Sequence, residues 1–295
     1  LNCPALLFLN RPSMPIFGLL EKVAPSTRNT SVSFPLALSW VLGWMGTPLY
    51  LLGFGLTVLV FDPLLRLGYR FGGYQVHQNG IRLMNRCLYQ CLLLNGGRIS
   101  WNTHQNLPQP GSATGTKVFV ANHQSLNDIP PLIWKFRAFQ PVLVSKAELA
   151  SGVPSVSYNF KTGGVVAIQR KNPSQSLEAM RQLGRRIERS GESVLYFPEG
   201  TRSRDGRLGT FKSGGLEQLM KSVPNIELIP VAVHRSWELA RWNFLPLPFG
   251  VTIRFDVLPS IHASAFEGDT TIKARAMMQA ARQAIHQQLQ PPLGI

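Results

Sequence analysis

From Ser31 to Phe61 the chain carries no Asp, Glu, Lys or Arg. A run of that length exceeds the ~20 apolar residues that a helix needs to cross a bilayer. Backbone polar groups in lipid must be satisfied internally, so such a run is helical wherever it lies in hydrocarbon. It contains Pro35, Pro48, Gly43, Gly46, Gly53 and Gly55. Membrane helices tolerate these breakers, which equally suit a kinked or re-entrant hairpin. Trp40, Trp44 and Tyr50 are residue types that settle at a membrane interface. The run is too long, and starts too far in, for a cleaved signal peptide. We therefore expect a membrane anchor over 31–61, after a poorly structured segment at 1–30. The chain opens on Leu1, so its natural start is expected to lie elsewhere or to be non-standard.

The charge pattern agrees with an anchor. The formal charge is +15, which implies an anionic partner: acidic membrane, phosphorylated substrate or nucleic acid. Between Asp62 and Asp128 there is no acidic residue, while Arg66, Arg70, Arg82, Arg86, Arg98 and Lys117 fall in that interval. Placed directly after the apolar run, this charge suits anionic headgroups and predicts a cytoplasmic carboxy-terminal part. Within 62–100, a membrane-proximal helical region, residues Gln75–Leu94 form a candidate amphipathic helix. Ile81, Met84, Leu88, Cys91 and Leu92 lie on one side, and Arg82 and Arg86 on another. The stripe fits membrane contact and core packing equally well. Cys87 and Cys91 lack a second pair at ligand spacing, so no metal site is expected. Three cysteines suit a reducing compartment.

Beyond residue 100, strand and helix signals alternate. Lys117–Ala121, Pro141–Ser145, Val165–Ile168, Ser193–Phe197, Glu227–Val233 and Val251–Val257 read as short strands. Asn172 before Pro173 reads as a helix start, with Leu177, Met180, Leu183 and Ile187 as its buried stripe and Gly191 as its end. Thr271–Leu289 reads as a last helix with Ile272, Met277, Ala281, Ile285 and Leu289 on its apolar side. This order predicts an α/β fold: a layered mixed sheet with flanking helices at 101–295, preceded by the hydrophobic anchor.

Two segments carry chemistry. In Asn122–Asp128 a histidine and an aspartate stand five apart, one at a strand end and one near a helix start. Residues five apart on a continuous helix do not share a face, so the loop must fold back for them to meet. If it does, Asp128 orients the imidazole of His123, and a neutral histidine suits general-base work near neutral pH. A turn histidine with Asp128 as a helix cap is the plain alternative. Phe197–Ser203 offers a carboxylate in Glu199, a turn at Gly200, Thr201, and a planar fork in Arg202 that matches a phosphate.

Together these segments resemble the glycerolipid acyltransferase family, whose best-known members are lysophosphatidic acid acyltransferases. His123 and Asp128 match its His-x4-Asp motif, and Phe197 to Arg202 match its Phe-Pro-Glu-Gly-Thr-Arg motif. Lys146, Glu148, Leu149, Gly164, Ile168 and Arg170 match a third block, and Ile229–Val233 a fourth. Phe211–Gly214 is similar to the segment after the arginine motif. The resemblance covers roughly 75–265. Gln169 stands where the family often has Asp, and Leu126 and Asn127 where an aromatic residue is common.

The resemblance implies acyl transfer from a thioester, on coenzyme A or an acyl-carrier protein, to the sn-2 hydroxyl of 1-acylglycerol 3-phosphate. His123 would be the base and Asp128 its orienter. Arg202, Arg170 and Lys146 would meet the acceptor phosphate, and Glu199, Gly200 and Thr201 would shape its site. No cofactor or metal beyond the donor is implied. Partners would be membrane lipids, the lysophospholipid and the donor, and the location a bacterial inner membrane. Ser125 offers a rival covalent route. Glycerol 3-phosphate or a lyso-aminolipid are alternative acceptors. A basic membrane-tethered binding protein is a rival of another class. A nucleic-acid partner is not expected, because the one aromatic-rich basic stretch, His234–Trp242, holds only Arg235 and Arg241.

Overall fold

The structure, a computed structural model, describes residues 35–103, 106–111, 115–169 and 171–290. The segment expected to be poorly structured, 1–30, lies outside the described residues, as does Arg170.

The apolar run and the amphipathic stretch form one element, α1, Leu36–Gln90, broken at Gly73 (φ 68°, ψ −164°). A positive φ is cheap only for glycine, and here it reverses the chain. Gly80 is packed against Leu65, His77 Nδ1 lies 3.3 Å from Leu65 O, and Gly53 is packed against Cys91 and Leu94. These pairings make 36–72 and 74–90 the two arms of an antiparallel hairpin. Val58, Leu65, Ile81, Met84 and Leu88 fill the seam. The stripe read at 75–94 is thus spent on packing against the first arm. The first helical arm also continues past Asp62, where the charge-free run ends. The charge of Asp62 is met by Arg66 at 2.8 Å, one helical turn on.

Among the described residues eight strands follow: β1 (Arg98–Asn102), β2 (Thr116–Ala121), β3 (Pro141–Lys146), β4 (Val165–Ile168), β5 (Ser193–Tyr196), β6 (Ile226–His234), β7 (Thr252–Val257) and β8 (Ile261–His262). The α-helices described among and after them are α2 (Ile129–Lys135), α3 (Val156–Lys161), α4 (Pro173–Ser190), α5 (Gly214–Ser222) and α6 (Thr270–Leu289). The sheet order is β1-β7-β6-β2-β5-β3-β4, with β8 paired to β6. Pairing is parallel except where β7 and β8 run against β6. The expected mixed α/β sheet is therefore present.

Helices cover both faces, as a largely parallel sheet requires. On one, Met180, Leu183, Ile187, Leu216, Leu219 and Met277 from α4, α5 and α6 meet Val118, Val194 and Leu228. On the other, Tyr50 of α1 and Leu132 of α2 meet Phe119, Leu195 and Ile229. Phe119, fully buried, stacks on Phe136 with centroids 4.0 Å apart. Removing such a ring costs ~3–5 kcal/mol.

Several readings change. Tyr50 is buried at 7% exposure rather than held at an interface, whereas Trp40 and Trp44 are exposed. Leu177 and Ile272, expected in buried stripes, face solvent. Among the described residues, β1, α3, α5 and β8 had no clear sequence signal. The start of α5, Gly214-Gly215, reads as a turn, but a side chain on either would meet Leu177 or Met180 of α4. Those glycines let two helices approach.

Candidate active site

Neighbouring parallel strands β2 and β5 end side by side, with Val120 opposite Tyr196. In open α/β sheets the crevice outside the carboxyl ends of strands is where ligands bind. His123 follows β2 and Glu199 follows β5, so the sheet alone brings the two motifs together.

The return of Asp128 to His123 is made by a tight turn. Ser125 caps the one-turn helix Leu126–Asp128 by accepting from Asn127 N, while Asp128 Oδ2 accepts from Ser125 N at 2.9 Å. The same carboxylate oxygen accepts from Gln124 N at 2.7 Å and lies 2.8 Å from His123 Nδ1. Asp128 thus closes the capping box of this turn and meets the imidazole, but its side chain makes no cap bond to α2, the helix it was read as capping. Asp128 is fully buried, whereas the His123 side chain keeps 12% of its surface open. The imidazole stacks on Phe197, centroids 4.1 Å apart and planes 21° apart. With Nδ1 turned to the carboxylate, Nε2 is the atom left to exchange a proton with a bound hydroxyl.

The second motif grips the first through its backbone. Glu199 Oε1 accepts from His123 N and Oε2 from Gly209 N, both at 2.8 Å. Ser203 N donates to His123 O at 2.8 Å. Burial pushes the Glu199 carboxyl above its ordinary value, against the two backbone N–H groups that favour its charge. Glu199 is therefore a brace for the histidine loop. Gly200 takes φ 71°, which suits the turn after Glu199. Thr201 and Arg202 are exposed beyond it, and Arg202 makes no ion pair among the described residues. Lys146 ends β3, half-buried, on the far side of β5 from His123. The structure does not bring it against the pair, and Arg170 lies outside the described residues.

Ser125 is no free nucleophile. It is fully buried and its Oγ lies 2.5 Å from Ser236 Oγ. Sequence reading missed three supports of the loop. Asn122 bonds Val233 with both ends of its amide, accepting from N at 2.7 Å and donating to O at 2.9 Å. Gln124 Oε1 accepts from Trp237 N. Tyr50 OH donates to Asn127 Oδ1 at 2.9 Å, joining α1 to the turn. Asn122 and Gln124 were findable as polar residues flanking His123. Tyr50 gave no local signal.

The profile of the Acyltransferase family matches residues 98–234, which span both motifs and the strands that carry them. Over that segment, less than half of its length, the chain is similar to the acyltransferase family. Among curated relatives, 1-acyl-sn-glycerol-3-phosphate acyltransferase of Limnanthes douglasii is 29% identical over 59% of this chain and 61% of its own length. The chloroplastic enzyme LPAT1 of Arabidopsis thaliana, of the same name, is 33% identical over 44% of this chain and 34% of its own. The Haemophilus influenzae protein of that name is 28% identical over 46% of this chain and 57% of its own length. The chain thus spans less than two thirds of the length of these curated relatives. Among solved structures, PlsC of Thermotoga maritima, titled a 1-acyl-sn-glycerophosphate acyltransferase, aligns with TM-score 0.62. That alignment covers 84% of this chain and 97% of the other at 19% identity, a likeness of fold. Outside the matched segment, α1 is long and apolar enough to cross a membrane, and its most apolar stretch is largely unburied.

Proposed function

We propose that the chain transfers an acyl group from an acyl thioester to the sn-2 hydroxyl of 1-acylglycerol 3-phosphate, producing phosphatidic acid. The observation that carries this reading is the buried Asp128 carboxylate 2.8 Å from His123 Nδ1, beside the Glu199–Arg202 turn. The names of the relatives support the choice of acceptor.

In this mechanism His123 Nε2 removes the hydroxyl proton as the oxygen attacks the thioester carbonyl. The buried negative charge of Asp128 stabilises the imidazolium that forms. Collapse of the tetrahedral intermediate breaks the C–S bond, and the imidazolium returns its proton to the departing thiolate. A thioester is already activated, so no enzyme nucleophile is needed, in keeping with the buried Ser125. Arg202, exposed in the turn after Glu199, binds the acceptor phosphate as a bidentate donor. Arg170 and Lys146 are further candidates for that anion. The exposed apolar surface of α1, including Trp40, Trp44, Leu52 and Leu59, holds the protein to the bilayer where its acceptor resides. The inner bacterial membrane, with the site on the cytoplasmic side, fits both the basic stretch and the supply of acyl thioesters.

The test is a panel assay with the full chain in vesicles. Acceptors are 1-acylglycerol 3-phosphate, glycerol 3-phosphate and a lyso-aminolipid, each with acyl-coenzyme A and acyl-carrier protein. The highest kcat/KM is expected for 1-acylglycerol 3-phosphate. A higher value for either other acceptor would refute the assignment and leave the base and its orienter in place.

A further inference from the structure

Helix α6 has an unbalanced charge pattern. Thr270–Leu289 contains Lys273, Arg275 and Arg282 and no acidic residue. Solvent-facing helices commonly set a carboxylate three or four residues from a cation, as Glu178–Arg181 on α4 and Glu217–Lys221 on α5 do. Arg275 and Arg282 pair with no carboxylate among the described residues. They stand seven residues apart, about two turns of helix, so both project from one face.

That face borders a cavity of about 400 Å³. Arg275, Met278 and Arg282 form one wall, and Thr210, Phe211 and Ser213 form the other. The second wall belongs to the segment that follows the Glu199–Arg202 turn, and a short chain of bonds ties it to the histidine. Arg282 Nε donates to Gly209 O at 2.8 Å, Gly209 N donates to Glu199, and Glu199 accepts from His123 N.

We propose that this cavity binds the nucleotide phosphates of coenzyme A, the leaving half of the donor. The proposal rests on the acyl-thioester reading above. Coenzyme A carries a diphosphate and a separate phosphomonoester, with the sulfur at the end of a flexible pantetheine arm. Two guanidiniums set apart on one wall match two separated anions. Thr210 and Ser213 supply hydroxyl donors. Phe211 and Met278, both core residues, close the apolar floor of the cavity beneath these polar groups. Ligand pockets for small molecules run ~300–1,000 Å³, so the volume suits a nucleotide and not a folded carrier protein. Arg202 lies in the turn directly after Glu199, separate from these walls, which keeps donor and acceptor phosphates apart.

The probe is adenosine 3′,5′-bisphosphate, titrated calorimetrically into the full chain in neutral detergent. One lost charge-assisted phosphate bond corresponds to a ~10- to 150-fold loss of affinity. Arg275→Gln should weaken the nucleotide by that range and raise the acyl-coenzyme A KM in step, while the acceptor KM holds. Arg282→Lys, which keeps the charge but not the planar fork, should lose part of the affinity. Unchanged nucleotide affinity in a folded Arg275→Gln protein overturns the proposal. A raised KM for acyl-carrier protein alone overturns it in favour of a protein-docking face, and a raised acceptor KM alone in favour of a lipid phosphate. If the nucleotide binds through Arg275 yet no lyso-acceptor is acylated, the cavity stands and the acyl-transfer reading falls.

Discussion

Replacing Asp128 with Asn removes a charge while keeping a shape. One oxygen, Oδ2, meets three donors: Gln124 N, Ser125 N and His123 Nδ1, at 2.7, 2.9 and 2.8 Å. A bond to a charged group contributes ~1.5–3 kcal/mol against ~0.5–1.5 for a neutral one. The difference, ~1–1.5 kcal/mol, is about tenfold in rate if it acts on the imidazolium that forms in the transition state. An amide oxygen is also a poorer partner for three donors, so His123 partly loses its tautomer. The ceiling is then the whole contribution of a positioned base, ~10²–10⁴-fold. The expected outcome is a fall in kcat of at least ~10-fold with both KM values little changed. The assay is steady-state acyl transfer by purified protein in vesicles, with thermal unfolding measured alongside. Asp128→Ala is the contrast: it strands two buried N–H groups at ~1–3 kcal/mol each and should lower Tm as well as kcat. A folded Asp128→Asn protein that turns over at the wild-type rate would falsify the pairing argument.

The other predictions concern separate parts of the molecule. His123→Ala should lower kcat by ~10²–10⁴-fold with acceptor binding retained, and near-normal turnover in the folded variant rules out the base. Arg202→Ala should raise the acceptor KM by about 10- to 150-fold, with Arg202→Lys recovering part; a raised donor KM instead moves Arg202 to the donor. Tyr50→Phe deletes one hydroxyl on α1 and should lower kcat by a few fold through the Asn127 turn, at a cost of ~0.5–1.5 kcal/mol; an unchanged kcat shows that the bond does not position the pair. For Asp256, burial alone would raise the carboxyl, but bonds from His234 and Gln288 and the charge of Arg254 hold it below its ordinary value. Its stabilising contribution is therefore present above the usual Asp range and lost as pH falls through the lowered value. Tm followed on acidification should drop there, and Asp256→Asn should flatten that limb; equal acid limbs in the two proteins refute the linkage.

Much of the sheet was legible because its central strands are buried on both faces. Val118–Ala121 and Leu228–Val233 are continuous apolar runs bounded by turn residues, the mark of such strands. The start of α4 at Asn172 was legible because its side chain caps a backbone N–H three residues on, and α6 was read from its apolar spacing to within a residue of its start, without its Asp269 cap. α5 was not, because its first residues are the two glycines that close packing demands and a local reading takes for a turn. β1 was hidden for another reason: Arg98–Asn102 sits at the sheet edge, none of it fully buried, and draws its place from β7. At the site, His123 and Asp128 were read as a pair from their motif, while the capping box of Ser125 and Asp128 that turns the chain back on His123 went unread. The brace through Glu199 was not legible, because it depends on β2 and β5 being neighbours, which no local pattern specifies.

The apolar run is more than an attachment. Ser39 Oγ donates to Phe249 O and Thr47 Oγ1 accepts from Leu247 N. Further along, Val58 O accepts from Ser155 Oγ and Asp62 accepts from Ser155 N at 2.7 Å. Gly43 and Gly46 let the backbone approach Leu247 and Asn95 so closely that any side chain there would collide. One face of the helix is thus fitted to the sheet domain by polar bonds and close packing, while the other exposes Leu52, Leu56, Leu59 and Val60. Breakers that read locally as signs of a kink, Gly43 and Gly46, are contact residues. A helix held this way cannot tilt freely against the sheet domain, so whatever depth the exposed face takes in a bilayer also sets the height of Asn127 and, through its turn, of His123. An acceptor whose hydroxyl lies near the headgroups is best served by a base held at one fixed height.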